Sequence, residues 1–285
     1  MSKPTSSKEH TISIAVVTGG GNGIGRALCR RLRRDGAKVV VVDLDEQAAK
    51  EVADEIGGTA YAVNVGDEAA VAALIEQVED TVGPIDLFAS NAGVVFGDGP
   101  SGSASAEGLL SDIDDRWEAS WRVNVMAHVY AARAIIPRMI SRGGGALLNT
   151  ISAAGFLSSI GDAAYSATKH AALGFAEAVA IRHGDEGIRV TVLCPQAVAT
   201  NMLDLATGPG AEESVFGGAD ADGIATPEQV ADAAIDGVAE GRFMVTPHPE
   251  VAGYLQFKAN DYDRWVGGMR KLRRNLAAEQ QQAGD

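Results

Sequence analysis

Short runs of consecutive apolar residues recur along the 285-residue chain, separated by stretches whose apolar positions return every three or four residues. The runs Ile12–Thr18, Ala37–Val42, Thr59–Val63, Ile85–Ala89, Ala146–Ile151 and Ile188–Leu193 are nearly continuous in apolar character rather than alternating. Strands with one wet face would alternate, so these read as parallel strands buried on both faces. The periodic stretches near Gly23–Asp35, Asp45–Ile56, Asp67–Thr81, Asp112–Ile140 and Ala163–Gly184 predict helices. A further helix over Pro227–Glu240 and a seventh strand over Arg242–Val245 continue the rhythm. Strand and helix in strict alternation imply right-handed crossovers, hence an α/β fold: a doubly wound parallel sheet of about seven strands with helices on both faces. No linker-like composition divides residues 12–248, which predicts one domain there.

Four segments stand outside the rhythm. Met1–Thr11 is polar and lacks an apolar signal-peptide core, so a disordered tail on a cytoplasmic protein is expected. Gly97–Ser111 is an insertion rich in Gly, Ser and Ala, expected as a surface loop. Asn201–Thr226 carries five acidic residues, no basic ones and several glycines, and reads as a substrate lid. Residues 249–285 place Trp265, Met269, Leu272 and Leu276 at helical spacing among Arg264, Arg270, Lys271, Arg273 and Arg274. A helical extension packed on the body or on a sister subunit is expected; phosphate recognition by the basic cluster is the lesser alternative.

Charge and composition narrow the function classes. A net charge of −14 argues against nucleic acid or an anionic membrane as partner, since both require basic patches. No apolar run approaches the ~20 residues of a membrane span. Cys29 and Cys194 form no Cys-x-x-Cys and read as two buried thiols. The five histidines, His10, His128, His170, His183 and His248, show no ligand-type spacing, so no metal is expected.

Two constellations carry chemistry. Tyr165 and Lys169, four apart on a predicted helix, project from one face. A phenol near pKa ~10 is a poor base at neutral pH, and an ammonium beside it would bring it toward the working range. The second is the turn Thr18-Gly19-Gly20-Gly21-Asn22-Gly23-Ile24-Gly25 between the first strand and first helix. Free N–H groups at a helix start favour a pyrophosphate, and glycines permit its close approach. The register is Thr-Gly-x-x-x-Gly-Ile-Gly and not the common Gly-x-Gly-x-x-Gly. Asp43 ends the second strand, eighteen residues past Gly25, where a carboxylate can accept both adenosine-ribose hydroxyls and repel a 2′-phosphate. Its neighbours Asn22 and Leu44 supply no cation, so NAD is expected over NADP.

These residues resemble the short-chain dehydrogenase/reductase family in its compact single-domain form, over roughly Ile12 to Val245. The motifs occur in the family's order: the Thr18–Gly25 turn, Asn91-Ala92-Gly93, Asn124, Ser152, Tyr165-x-x-x-Lys169, and Pro195 to Thr200. The resemblance implies a secondary alcohol and a ketone interconverted by hydride transfer, on the pro-S face. It implies Tyr165 as general acid/base and Ser152 as the group orienting the substrate oxygen. Lys169 would bind the nicotinamide ribose and lower the Tyr165 pKa, and Asn124 would hold a water that links Lys169 to solvent. Gly19, Asn22, Gly23, Ile24 and Gly25 would cradle the pyrophosphate, with Asp43 and Leu44 at the adenosine ribose and Asn64-Val65 at the adenine. Asn91, Ala92 and Gly93 would let the cofactor approach the fourth strand, and Pro195, Val198 and Thr200 would contact the nicotinamide end. Relatives pair through the helices carrying Asn124 and Tyr165, so a homo-oligomer, dimer or tetramer, is expected.

The chain departs from the family at two positions. Asn64 stands where Asp is common, and Gln196 follows Pro195 where Gly is usual. A larger polar side chain beside the nicotinamide can contact substrate. Phe156, Leu157, Gln196 and Met202 are expected to line the substrate pocket, which favours a lipophilic or aromatic-bearing small molecule. A nucleotide-sugar epimerase is the weaker rival, because only about forty residues follow the last strand, too few for a second domain. A non-catalytic NAD(H) sensor on the same fold remains the alternative, and retention of Asn124, Ser152, Tyr165 and Lys169 argues against it.

Overall fold

The structure, a computed structural model, describes residues 11–96, 115–200, 202 and 222–283. The polar tail, the Gly97–Ser111 insertion and nearly all of the lid expected over Asn201–Thr226 lie outside the described residues.

Seven parallel strands form one sheet: β1 (Ile14–Thr18), β2 (Lys38–Asp43), β3 (Thr59–Ala62), β4 (Leu87–Ser90), β5 (Gly145–Thr150), β6 (Ile188–Leu193) and β7 (Met244–Val245). Their order is β3-β2-β1-β4-β5-β6-β7, so the winding reverses between β1 and β4. Ligands in such sheets bind beyond the carboxyl ends of the strands at that reversal.

Successive side chains on a strand point to opposite faces, and here each face meets its own helical layer. Val16, Val40, Val42, Phe88 and Leu147 join one core with Leu74 and Ile75 of α3 (Glu68–Thr81), Ile135 and Met139 of α5 (Ala127–Ser141), and Ala172 and Ala176 of α7 (Ala163–His183). Ala15, Val17, Val39, Val41 and Leu148 join the other with Leu28 and Leu32 of α1 (Gly23–Arg34), Val52 of α2 (Glu46–Ile56), and Val230 and Ala234 of α8 (Pro227–Ala239). Both faces being dry accounts for the continuous apolar runs.

Helix starts are set by side-chain caps, which satisfy N–H groups that have no partner inside the helix. Asp45 accepts from Gln47 and Ala48, Asp67 from Ala69 and Ala70, and Thr226 forms a reciprocal capping box with Gln229 ahead of Pro227. Arg31 reaches Asp35, Asp232 and Asp236 and ties α1 to α8.

Three differences from the sequence reading stand out. The helix expected over Asp112–Ile140 is divided into α4 (Asp115–Trp121) and α5 by a π turn over Arg122–Met126. A four-residue helix, α6 (Ala154–Leu157), follows β5. After β7 the chain forms α9 (Glu250–Asn260) and α10 (Tyr262–Ala283). Lys258 of α9 is buried; its Nζ donates to Phe156 O at 2.5 Å and lies 5.0 Å from the Tyr262 ring centroid. Trp265 packs against the core, whereas Val266 and Leu272 remain exposed on α10. Among the described residues no helix is long and apolar enough to cross a membrane.

Candidate active site

The carboxyl ends of β1, β4 and β5 open onto a cavity of about 340 Å³. Its floor is stitched by polar side chains at the strand ends. Thr18 Oγ1 accepts from the N–H groups of Asn91 and Ala92 at 3.0 and 3.1 Å. Asn91 Nδ2 donates to Thr18 O at 3.1 Å, and Asn91 Oδ1 accepts from Thr150 Oγ1 at 3.0 Å. Three strands are thereby held in register at the point where the winding reverses.

At one end lies the glycine turn. A Cβ on Gly25 would fall 1.9 Å from Gly19 O, so only glycine lets α1 start this close to β1. Gly23 has φ +51° and sits against Thr200, whose Cγ2 would be 2.9 Å from an added Cβ. Asp43 Oδ2 accepts from Gly21 N at 2.9 Å, so the carboxylate that closes β2 also braces the turn. Gly19, Asn22, Gly23, Ile24, Asp43, Leu44, Asn64 and Val65 line this end. Gly25 does not line it; its role is to bring helix and strand together. Among the described residues lining the cavity the single Lys or Arg is Lys169, three strands away from Asp43 across the sheet.

At the other end, Asp162 caps the start of α7, and its Oδ1 accepts from Tyr165 N at 2.6 Å. Tyr165 and Lys169 face inward, only 6 % and 3 % exposed, and Lys169 Nζ lies 5.4 Å from the Tyr165 ring centroid while donating to Thr150 O at 3.2 Å. Burial pushes the Tyr165 phenol up to about 12, against a hydrogen bond from Ser152 that lowers it. Burial brings the Lys169 ammonium down to about 8. The sequence reading has the lysine charge lowering the phenol; in the protein alone burial dominates, the nearby Asp162 carboxylate adds to the rise, and Ser152 is the group that opposes it.

Ser152 has φ +128°, a region L residues seldom occupy, and its hydroxyl accepts from Ala154 N at 3.1 Å. Asn124 sits in the π turn, fully buried and outside the cavity lining. Its Oδ1 accepts from Val94 N at 2.9 Å, and its Nδ2 donates to Val94 O at 3.0 Å and Thr168 Oγ1 at 3.2 Å. The amide thus ties the segment after β4 to α7. A Cβ on Gly93 would lie 3.3 Å from Asn124 Oδ1 and 3.4 Å from Lys169 Nζ, so both groups border the same glycine.

Ala92, Gly93, Pro195, Gln196, Val198, Thr200 and Met202 line the cavity with the residues above. Phe156 and Leu157 do not. Both are 6 % exposed and belong to the hydrophobic core, where α6 places them. Apolar character alone does not separate core from pocket. Val63, Val94, Val123, Thr150 and Ile151 line the cavity without having been singled out in the sequence. Thr150 and Ile151 directly precede Ser152, a proximity that could have found them. Cys29 and Cys194 are buried thiols pushed up to about 12 by desolvation.

Residues 13–207 match the family model described as short chain dehydrogenase. The chain belongs to the short-chain dehydrogenase/reductase family. This dehydrogenase is 35 % identical over 258 residues, 88 % of its length and 89 % of the relative's, to a 1-deoxy-11-beta-hydroxypentalenate dehydrogenase of Streptomyces exfoliatus. It is 31 % identical over 258 residues, 90 % of each chain, to a meso-2,3-butanediol dehydrogenase of Serratia marcescens. A cyclohexanol dehydrogenase of an Acinetobacter species is 33 % identical over 67 % of this chain and 74 % of its own. Among solved structures, a short chain dehydrogenase/reductase from Burkholderia phymatum in complex with NAD superposes with a TM-score of 0.75 at 27 % identity, covering 90 % of this chain and 96 % of that one. The dehydrogenase is therefore an oxidoreductase built on the fold its sequence predicts.

Proposed function

We propose that this dehydrogenase interconverts a secondary alcohol and a ketone with NAD, using Tyr165 as general acid/base. The carrying observation is that one cavity holds both the Asp43-braced glycine turn and, three strands away, the buried Tyr165–Lys169–Ser152 cluster. The relatives named for hydroxypentalenate, butanediol and cyclohexanol support a secondary-alcohol substrate.

The residues fit a dinucleotide. The glycine turn leaves backbone N–H groups at the start of α1, and Gly23 clears the space a side chain would fill. Asp43 retains acceptor capacity for ribose hydroxyls, and among the described residues lining the cavity no cation stands beside it to receive a 2′-phosphate, which supports NAD over NADP. When bound, NAD supplies the hydride acceptor. Ser152 donates to the substrate oxygen, and Tyr165 takes the hydroxyl proton during oxidation or returns it during reduction. Lys169 would hold the nicotinamide ribose of bound NAD, and its ammonium, 5.4 Å from the Tyr165 ring centroid, favours the phenolate form. Asn124 positions α7 and the Val94 segment against one another.

Pairing of copies through the helices that carry Asn124 and Tyr165 is supported by Trp121 and Ile181, 45 % and 85 % exposed on α4 and α7. The test is NADH formation across a panel of secondary alcohols, with NAD and NADP compared. Turnover with NAD preferred is expected. Tight NADH binding without turnover on any member would identify a sensor instead.

A further inference from the structure

Of the polar side chains lining the cavity, nearly all have a place in the reading above. Asn22, Asp43 and Asn64 belong to the adenosine end, Asn91 and Thr150 bond to one another, and Thr200 lies against Gly23. Gln196 is left over. Its Oε1 is buried without a hydrogen-bond partner. Its backbone N–H donates to His248 Nδ1 at 3.2 Å, so Nδ1 is the acceptor and the ring proton sits on Nε2. His248 is 95 % buried by its 5 % exposure, and that Nε2–H has no partner either. A buried acceptor and a buried donor on two directly bonded residues are both unmet. Burying such groups unpaired is costly, and the cost persists where a ligand meets it.

We propose that Gln196, positioned by His248, binds a second oxygen on the substrate: a hydroxyl on the carbon next to the reacting carbinol. This rests on the alcohol–ketone reading. Gln196 lines the same cavity as Ser152 and Tyr165 and adjoins Pro195, whose carbonyl accepts from Ser152 Oγ at 3.4 Å. That neighbourhood favours a substrate oxygen close to the reacting one. A hydroxyl suits the site because Gln196 Oε1 is an acceptor and requires a donor. Among the described residues, the remaining lining near this end, Val94, Ile151 and Met202, is apolar, which favours a hydrocarbon frame for the rest of the substrate. The substrate class is a vicinal diol or hydroxyketone on a lipophilic frame.

The test compares trans-cyclohexane-1,2-diol with cyclohexanol, which differ by that oxygen alone, by kcat/KM with NAD. The wild type should favour the diol by about tenfold or more, since a site built around a hydroxyl discriminates against its absence. Gln196→Met, with NADH binding retained to show a folded protein, should collapse that ratio chiefly through KM for the diol. His248→Phe should lower the ratio as well, and His248→Asn, which keeps an acceptor for the Gln196 N–H, should restore it. Oxidation of cyclohexanol with no preference for the diol, or a ratio unmoved by Gln196→Met, overturns the second-oxygen site and leaves the dehydrogenase reading standing. Turnover of neither substrate nor of any alcohol in the wider panel overturns both.

Discussion

The two ends of the cavity are made of different material. The β1–β2 end is backbone, glycine and exposed side chains: Asn22 is exposed and Leu44 is 74 % exposed. Its one charge, Asp43, already accepts from the N–H groups of Gly21 and Asp45. The β5–α7 end is the reverse, with Tyr165, Lys169, Asn124 and His128 all buried. Burial raises the Tyr165 phenol, lowers Lys169 to about 8 and takes His128 down to about 3. The first end uses what any strand–helix turn exposes and costs the apoprotein little. The second concentrates desolvated titratable groups, an arrangement that burdens stability and prepares chemistry.

That contrast can be broken by experiment. Tyr165→Phe should lower kcat by on the order of 10²–10⁴-fold while NADH binding, read by fluorescence titration, stays close to wild type. A collapse of binding instead would mean the two ends are not separable. Lys169→Met should also abolish most activity yet raise stability at neutral pH by a few kcal/mol, on the order expected for a shift of this size. The sign follows from proton binding: between about 8 and 10.5 the unfolded chain holds the lysine proton more tightly, so wild-type stability rises with pH across that window. Urea unfolding over the window should show this slope in wild type and its loss in Lys169→Met; an unchanged slope would refute the burden. Asp43→Ala should weaken NAD roughly tenfold and narrow the discrimination against NADP, as befits loss of charge-assisted hydrogen bonds. A wild type that already prefers NADPH would overturn the role given to Asp43.

The same contrast governs what the sequence reveals. The glycine turn, Asp43 and the strands are contiguous or nearly so, and buried parallel strands announce themselves by unbroken apolar runs, with ends displaced by about two residues at β1 and β4. The Tyr165–Lys169 pair is legible from helical spacing. Its electrostatics are not, because they depend on which distant segments exclude water. The π turn at Arg122–Met126 carries no local signal, being specified by what Asn124 reaches: the Val94 backbone and Thr168. Apolar character alone does not show that α6 turns Phe156 and Leu157 toward the core. His248 carries no local signal in the sequence, because its bond to Gln196 spans fifty-two residues.

The strand order has a consequence for how the chain is made. β1 is central, yet its second neighbour, β4, begins at Leu87, about seventy residues downstream. As the polypeptide leaves the ribosome, β1, β2 and β3 can pair with their crossover helices while one side of β1 stays open. That side is a row of unpaired backbone on Ile-Ala-Val-Val-Thr, an apolar edge of the kind that recruits foreign strands. Until β4 arrives, the strand that later supports the glycine turn offers an open apolar template for aggregation. Slow translation between β3 and β4, or substitutions that weaken β4, should therefore show first as lost soluble yield rather than as lost catalysis.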